Sequence, residues 1–302
     1  VDVLVTGSHG LIASALIPRL RADGHRVARL VRGAPEGGDD LRWDPDAGTI
    51  DVRGLEGIDA VVHLAGAGIG DKKWTPARKQ SILESRTRGT ALVASALAGL
   101  DRRPGVLLSG SAVGIYGNRG DEVLTEASAP GEGFTSEVCT AWEAATAPAE
   151  AAGIRVAHLR TGIVLAAHGG ALGRMLTPFR LGLGGRMGNG HQYMSWIAIE
   201  DHVGATVHLL GADVAGPVNL TAPNPATNAE FTEALGSALH RPTKLPTPML
   251  PLRALYGGEL VQSLLLDGQR ALPRALEASG YEFAHPELSD ALRAVLAPAA
   301  AA

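Results

Sequence analysis

Eight residues near the start of the chain constrain its fold more than any other stretch: Thr6-Gly7-Ser8-His9-Gly10-Leu11-Ile12-Ala13. They follow the apolar run at residues 3–5 directly. They open a segment, 11–20, whose apolar residues recur at helical spacing, with Gly24 marking its end. A strand that turns through glycines straight into a helix can cradle a pyrophosphate. Gly7 allows the tight turn, Gly10 lets the backbone approach the phosphates, and Ala13 is small enough for the helix to lie on the strand. The helix N-terminus adds free N–H groups and the positive end of its dipole. An ordinary strand-to-helix turn can use the same glycines. Here strand, turn and helix coincide, so Gly7, Ser8, His9, Gly10, Leu11 and Ile12 are expected to bind a dinucleotide.

Beyond this turn the first half alternates. Residues 27–31, 60–64, 105–108 and 155–159 read as strands, and 75–100 and 137–152 as helices, the last stopped by Gly153. Such alternation implies a parallel sheet covered by helices. The expected fold class is α/β: a Rossmann, doubly wound parallel sheet with a smaller α+β substrate lobe. Pro18 falls inside the first helical pattern, where a kink or an early helix end would accommodate it. The second half changes character. Glycines at 169, 170, 182, 184, 185, 188 and 190 interrupt short elements, and Pro-rich linkers are read at 217–225 and 242–251. Helix returns at 260–266 and 288–296. The expected division is a dinucleotide-binding domain over 1–165 with a return segment at 196–222, and a substrate-binding lobe from 166–195 and 223–298. The alanine-rich tail, 297–302, is expected to fray.

Residue 32 points to the type of dinucleotide. A carboxylate after the second strand would hold a ribose 2′-hydroxyl and select NAD; an arginine pairs with a 2′-phosphate. Arg32 stands there, 22 positions after Gly10, and no carboxylate lies between Arg26 and Pro35. NADP(H) is the expected cofactor, the alternative being a solvated arginine at a strand end. Leu64, Ala65 and Gly66 close a strand with small or apolar residues fit to border the cofactor. His63 reads as a packed strand residue. No spacing of His, Cys or carboxylates suggests a metal site.

The glycine turn, the Leu64-Ala65-Gly66 strand end and Ser109-Gly110-Ser111-Ala112-Val113-Gly114-Ile115-Tyr116-Gly117 together resemble the extended short-chain dehydrogenase/reductases. Closer markers are Lys73-Trp74-Thr75, Ser85-Arg86, Cys139-Thr140-Ala141-Trp142-Glu143, Leu159-Arg160-Thr161-Gly162, Gln192-Tyr193-Met194-Ser195-Trp196 and Gly268-Gln269-Arg270. They are similar to an atypical, YfcH-like group of nucleoside-diphosphate-sugar epimerase homologues with a C-terminal domain of unknown function. The resemblance covers nearly the whole chain. It implies a Rossmann fold, NADP(H) binding and a poorly defined reaction; Arg160, within the Leu159–Gly162 marker, is expected among the cofactor-binding residues.

The departures from that family bear on catalysis. Its extended members usually carry Tyr-x-x-x-Lys as proton donor and electrostatic helper. Aligned from Ser111, Thr135 falls at the Tyr position and Cys139 at the Lys position, while Arg86 falls where an Asn usually sits. Threonine is a poor acid, and cysteine cannot supply the fixed charge of lysine. The expected catalytic set is Ser111 as polar anchor, Arg86 as source of positive charge and Tyr116 as surrogate acid. Each has a plainer alternative: a turn-capping hydroxyl, a surface ion pair and a packed ring. Cys139 reads as a buried small hydrophobe rather than a nucleophile. Glu137 and Glu143 read as solvated helix carboxylates. Arg180, Arg186, His191 and Gln192 form either a clamp for an anionic substrate or a solvated loop with scattered charge. Trp196 is expected to pack the lobe against the sheet.

Composition narrows the function classes. Lys+Arg number 27 against 31 Asp+Glu, and aromatics are 4%, so neither a basic excess nor a base-stacking surface points to nucleic acid. The apolar stretch at 91–100 is too short for the roughly 20 residues of a membrane span. With one cysteine no intramolecular disulfide can form, and no targeting segment is visible, so a cytoplasmic location is expected. The expected activity is that of an epimerase- or reductase-like oxidoreductase on a small carbonyl or hydroxyl substrate, nucleotide-linked or free. A non-catalytic NADPH-binding sensor or scaffold, and a non-redox isomerase or lyase, remain open. A homodimer is allowed by analogy with related folds.

Overall fold

The computed structural model describes residues 1–297; residue 298 and the rest of the alanine-rich tail lie outside the described residues. The strands in chain order are β1 (Asp2–Thr6), β2 (Arg26–Val31), β3 (Asp40–Asp44), β4 (Thr49–Ile50), β5 (Ala60–His63), β6 (Val106–Ala112), β7 (Val123–Leu124), β8 (Arg155–Thr161), β9 (Ile163–Leu165), β10 (Tyr193–Met194), β11 (Trp196–Ala198), β12 (Gly216–Leu220), β13 (Ala226–Thr227) and β14 (Arg270–Ala271). The helices are α1 (Leu11–Ala22), α2 (Pro76–Ala98), α3 (Phe134–Ala144), α4 (Ala147–Ala151), α5 (Gly170–Arg180), α6 (Ile199–Gly211), α7 (Asn228–Ala238), α8 (Met249–Tyr256), α9 (Gly258–Val261), α10 (Arg274–Ala278) and α11 (Leu288–Leu296).

Eight strands form one sheet in the order β12-β8-β6-β5-β1-β2-β3-β4. Every neighbouring pair is parallel except β3 with β4. The side-chain period of two explains the layers. Along β1, Val3 and Val5 face one side, where they meet Leu16 and Leu20 of α1 and Val203 and Leu209 of α6. Leu4 faces the other side and meets Val93 and Leu97 of α2 and Ala149 of α4. A strand buried on both faces reads as an unbroken apolar run, which is why residues 3–5 and 60–64 are so legible. From β1 the chain moves outward to β2 and β3, then crosses back to β5 on the other flank. That reversal opens a crevice beyond the C-terminal ends of β1 and β5.

Several elements differ from the sequence expectation. Helix α1 runs unbroken through Pro18. The stretch read as one helix at 137–152 is two, because the Thr146 hydroxyl donates to the Glu143 carbonyl at 2.7 Å and ends α3. The strand at 105–108 continues through Gly110 to Ala112; a Cβ on Gly110 would stand 2.8 Å from the Trp142 ring. Residues 217–220, read as linker, belong to β12, an edge strand, where the missing N–H of Pro217 leaves no ladder partner unserved. The glycine-rich stretch after residue 169 is helical as α5 despite Pro178. Leu172, Leu176 and Phe179 of α5 share a third core with Trp196, Phe231, Leu235 and Leu292, so the fully buried Trp196 belongs to the interior of that unit.

Candidate active site

The crevice is built around the hydroxyl of Thr6, the last residue of β1. Thr6 Oγ1 accepts the backbone N–H groups of Leu64 at 3.0 Å and Ala65 at 3.1 Å, tying the exit of β5 to the exit of β1. Gly7 then turns at φ +67°, and a Cβ there would lie 2.9 Å from the Leu64 carbonyl carbon and oxygen. Only glycine meets both demands. Gly10 caps α1 without a side chain, and the first turn of α1 holds no acidic residue. The leading N–H groups of the helix are thus left for an external anion.

A cleft of about 640 Å³ opens there. Eight of the expected cofactor residues line it: Gly7, Ser8, His9, Gly10, Arg32, Leu64, Ala65 and Gly66. Arg32 is exposed and has no ion-pair partner among the described residues. Leu11 and Ile12 begin α1 but do not line the cleft; the Leu11 side chain lies against Gly169 and Gly170 instead. The cleft also holds Arg29, Glu36, Asp40, Trp43, Asp46, Ser81, Glu84 and Ser85, which sequence reasoning missed. The missed carboxylates fall outside the window from 26 to 35. Strand β3 carries a weak signal, the alternation of Leu41 and Trp43 with charged residues.

The Ser85-Arg86 marker has a mechanical role. Ser85 Oγ accepts the Ala67 N–H at 3.1 Å, and Arg86 Nη1 donates to the Ala67 carbonyl at 2.9 Å. Together they clamp the loop leaving β5. The Arg86 guanidinium stands 4.9 Å from the centroid of the Trp142 ring. Burial lowers its pKa, and the neighbouring Cys139 opposes the shift. Cys139 itself is buried, and burial pushes its thiol up to about 11 against the pull of Arg86. It is therefore a protonated packing residue near neutral pH.

Ser111, Arg160 and Tyr116 form a separate buried network. Ser111 Oγ donates to Glu143 Oε1 at 2.6 Å, and Arg160 grips both Glu143 oxygens at 2.9 Å. Arg160 Nη1 donates to the Tyr116 hydroxyl at 3.0 Å, which donates onward to Asn219 Oδ1 at 2.7 Å. Three expectations are corrected by this geometry. Arg160 is committed to Glu143 and Tyr116 and does not line the cleft. Tyr116 is fully buried with its hydroxyl engaged, and burial raises its pKa, so it takes the packing role rather than that of surrogate acid. Glu143 is not solvated: its side chain is 12% exposed. Gln192 is likewise spent on the carbonyls of Met187 and Leu265, outside any anion clamp. His63 is packed as expected, and burial drives its pKa down to about 4. Among the described residues no cluster of three or more His, Cys or carboxylates could hold a metal, and no helix is long and apolar enough to cross a membrane.

Residues 3–221 match the sequence profile of the NAD dependent epimerase/dehydratase family. The chain belongs to that family. Residues 247–295 match a domain of unknown function, DUF1731. Among epimerase relatives, the epimerase family protein Mb2239 of Mycobacterium bovis is 46% identical over 291 residues, 96% of each chain. The crystal structure of human epimerase family protein SDR39U1 (isoform 2) with NADPH superposes with a TM-score of 0.89 at 37% identity, covering 98% of this chain and 99% of that one. A nucleoside-diphosphate sugar epimerase from Corynebacterium glutamicum matches at TM-score 0.78 and 37% identity, over 96% of this chain and 57% of that one. Membership in the epimerase family accounts for the glycine turn and the sheet order, both of which serve the crevice beyond β1 and β5.

Proposed function

We propose that this chain is an NADP(H)-dependent epimerase- or reductase-like oxidoreductase acting on a small carbonyl or hydroxyl substrate, nucleotide-linked or free. The observation that carries the reading is the exposed Arg32, without an ion-pair partner among the described residues, lining the same cleft as the Gly7–Gly10 turn. The human relative that was crystallised with NADPH supports it. Gly7, Ser8 and Gly10 would hold the pyrophosphate, Arg32 the 2′-phosphate, and Leu64, Ala65 and Gly66 the next stretch of the cofactor. When bound, the nicotinamide supplies hydride transfer to or from a substrate carbon. Arg86 would supply positive charge beside the loop it clamps, in place of the lysine that Cys139 replaces. Ser111 is 4% exposed, does not line the cleft and donates to Glu143, so it would orient a substrate hydroxyl, by accepting from it, only for a substrate that reaches the edge of that buried network. Residues 166–195 and 223–298 would form the substrate-binding lobe; the single, buried Cys139 fits a reducing cytoplasm, and a homodimer is proposed by analogy with related folds alone.

The missing Tyr-x-x-x-Lys pair and the burial of Tyr116 favour one second reading, an NADPH-binding sensor without turnover. Mixing the protein and NADP⁺ with a series of nucleoside-diphosphate sugars and free hydroxy compounds separates the two. A substrate-dependent rise in reduced-nicotinamide absorbance is expected for net redox, and an inverted sugar centre by NMR for epimerisation, which regenerates the cofactor in each turnover. Neither change with any of them, under conditions where NADP⁺ is bound, would favour the sensor.

A further inference from the structure

Strands β2 and β3 are parallel neighbours, yet only the eight residues 32–39 join them. Parallel neighbours ordinarily need a crossover of about a dozen residues or more, usually with a helix. The register sets Asp40 beside Arg29, so the chain must leave Val31, turn, and come back to a level two residues earlier. All eight connecting residues are exposed, and added Cβ atoms on Gly33, Gly37 and Gly38 would meet nothing within 4 Å. The loop has no apolar anchor.

Its anchors are polar and converge on one carboxylate. Arg29 donates to Asp40 as a fork, Nε to Oδ1 at 2.7 Å and Nη2 to Oδ2 at 2.8 Å. The Glu36 N–H donates to Asp40 Oδ2 at 2.9 Å, pinning the middle of the loop. Backbone bonds from Arg29 to Asp39 at 2.8 Å and from Asp40 to Gly37 at 3.1 Å complete the closure. The Asp40 side chain is 2% exposed, and its hydrogen bonds to Arg29 hold its carboxyl below the usual range. Arg29 and Asp40 both border the cleft, but each neutralises the other.

We infer that Arg29 and Asp40 are positioning residues for 2′-phosphate selectivity: their half-buried fork shapes loop 32–39 so that Arg32 meets the phosphate. The inference rests on the reading of Arg32 as the 2′-phosphate ligand. Within the fork, Asp40 also removes Arg29 from the set of cations open to a phosphate, leaving that contact to Arg32.

Calorimetry with 2′,5′-ADP and 5′-AMP tests it, because the two probes differ only in the 2′-phosphate. Asp40→Asn removes the charge that the fork needs. Its expected effect is a loss of about tenfold in 2′,5′-ADP affinity, with 5′-AMP changed less than twofold. Placed on Arg32→Ala, the same substitution should cost nothing further, since coupled residues are not additive. Arg29→Lys, which keeps the charge but cannot fork, should repeat the selective loss, and it serves as the test if Asp40→Asn does not fold. An equal loss for both probes would make the pair a general support of the cleft and overturn the inference. Unchanged or tighter 2′,5′-ADP binding would also overturn it, because Arg29 would then be idle or would take the phosphate itself. If Arg32→Ala leaves 2′,5′-ADP binding intact, the NADP(H) reading falls first; if Arg32→Ala loses it and Asp40→Asn does not, only the positioning role falls.

Discussion

Thr6 Oγ1 lies 2.9 Å from His63 Nδ1 while it accepts two backbone N–H groups from Leu64 and Ala65. With both lone pairs so occupied, the Thr6 proton points to Nδ1. The His63 ring is therefore neutral with its proton on Nε2, which donates to Thr90 Oγ1 at 3.1 Å. One side chain thus fixes the exits of two strands and the tautomer of a buried ring. Thr6→Val keeps the shape and removes the acceptor. It is expected to destabilise the fold by about 2 kcal/mol, the scale of a buried polar group left unpaired, and to weaken NADPH binding. Urea unfolding measures the first effect, and unchanged stability would show that the hydroxyl is dispensable.

Two buried rings predict acid sensitivity. Burial lowers the pKa of both His63 and His202 to about 4, well below the usual histidine value of 6.5. The unfolded chain then binds more protons than the folded one between these limits. Stability is full above about pH 6.5 and falls as the pH drops toward 4, by roughly 3 kcal/mol per ring at the lower limit. Thermal melts across this range should show the decline, and His202→Gln should flatten it. A melting temperature independent of pH from 6.5 to 4.5 would contradict the neutral, buried assignment.

The buried pair of Glu143 and Arg160 should behave unlike the pairs on the surface. Arg160 keeps 7% of its side-chain exposure, so removing its partner strands a buried charge. Glu143→Gln is expected to cost about 3 kcal/mol by this argument. Glu277→Gln, which breaks an exposed pair with Arg274, should cost less than about 1 kcal/mol. Chemical denaturation of the two variants decides it, and equal costs would mean that Glu143 is more hydrated than its geometry indicates.

Cys139 should be slow to alkylate and dispensable for cofactor binding. Its thiol, pushed up to about 11 by burial, holds few thiolates at neutral pH. Cys139→Ala is expected to bind NADPH within twofold of the native chain. Rapid iodoacetamide labelling at neutral pH, or a tenfold loss of NADPH affinity, would count against this.

Legibility in the sequence followed the physics of each element. Residues 3–5 and 60–63 are buried on both faces, so their composition announces strands. The Gly7–Gly10 turn was legible because a positive φ and a close backbone approach both demand glycine. Strand β12 was hidden because Pro217 reads as linker, and only its place at the sheet edge reconciles it. Helix α5 was hidden by its glycines and by Pro178, which its packing against Trp196 overrides. Glu143, Arg160 and Tyr116 could not be assigned from sequence because residues 116, 143 and 160 meet only once the turn after β6, α3 and β8 are folded together. Asp40 was missed because its partner, Arg29, is set by strand register rather than by spacing.

On the proposed reading, the cleft beyond β1 and β5 would select NADP(H) through Arg32. Calorimetric titration of the native chain and of Arg32→Ala with NADPH and NADH tests it most directly. A charge-assisted contact of about 1.5–3 kcal/mol corresponds to a preference of roughly ten- to a hundredfold or more for NADPH. That preference is expected in the native chain, and its loss in Arg32→Ala, with NADH affinity unchanged. Equal affinities in the native chain, or a preference that survives the substitution, would contradict it.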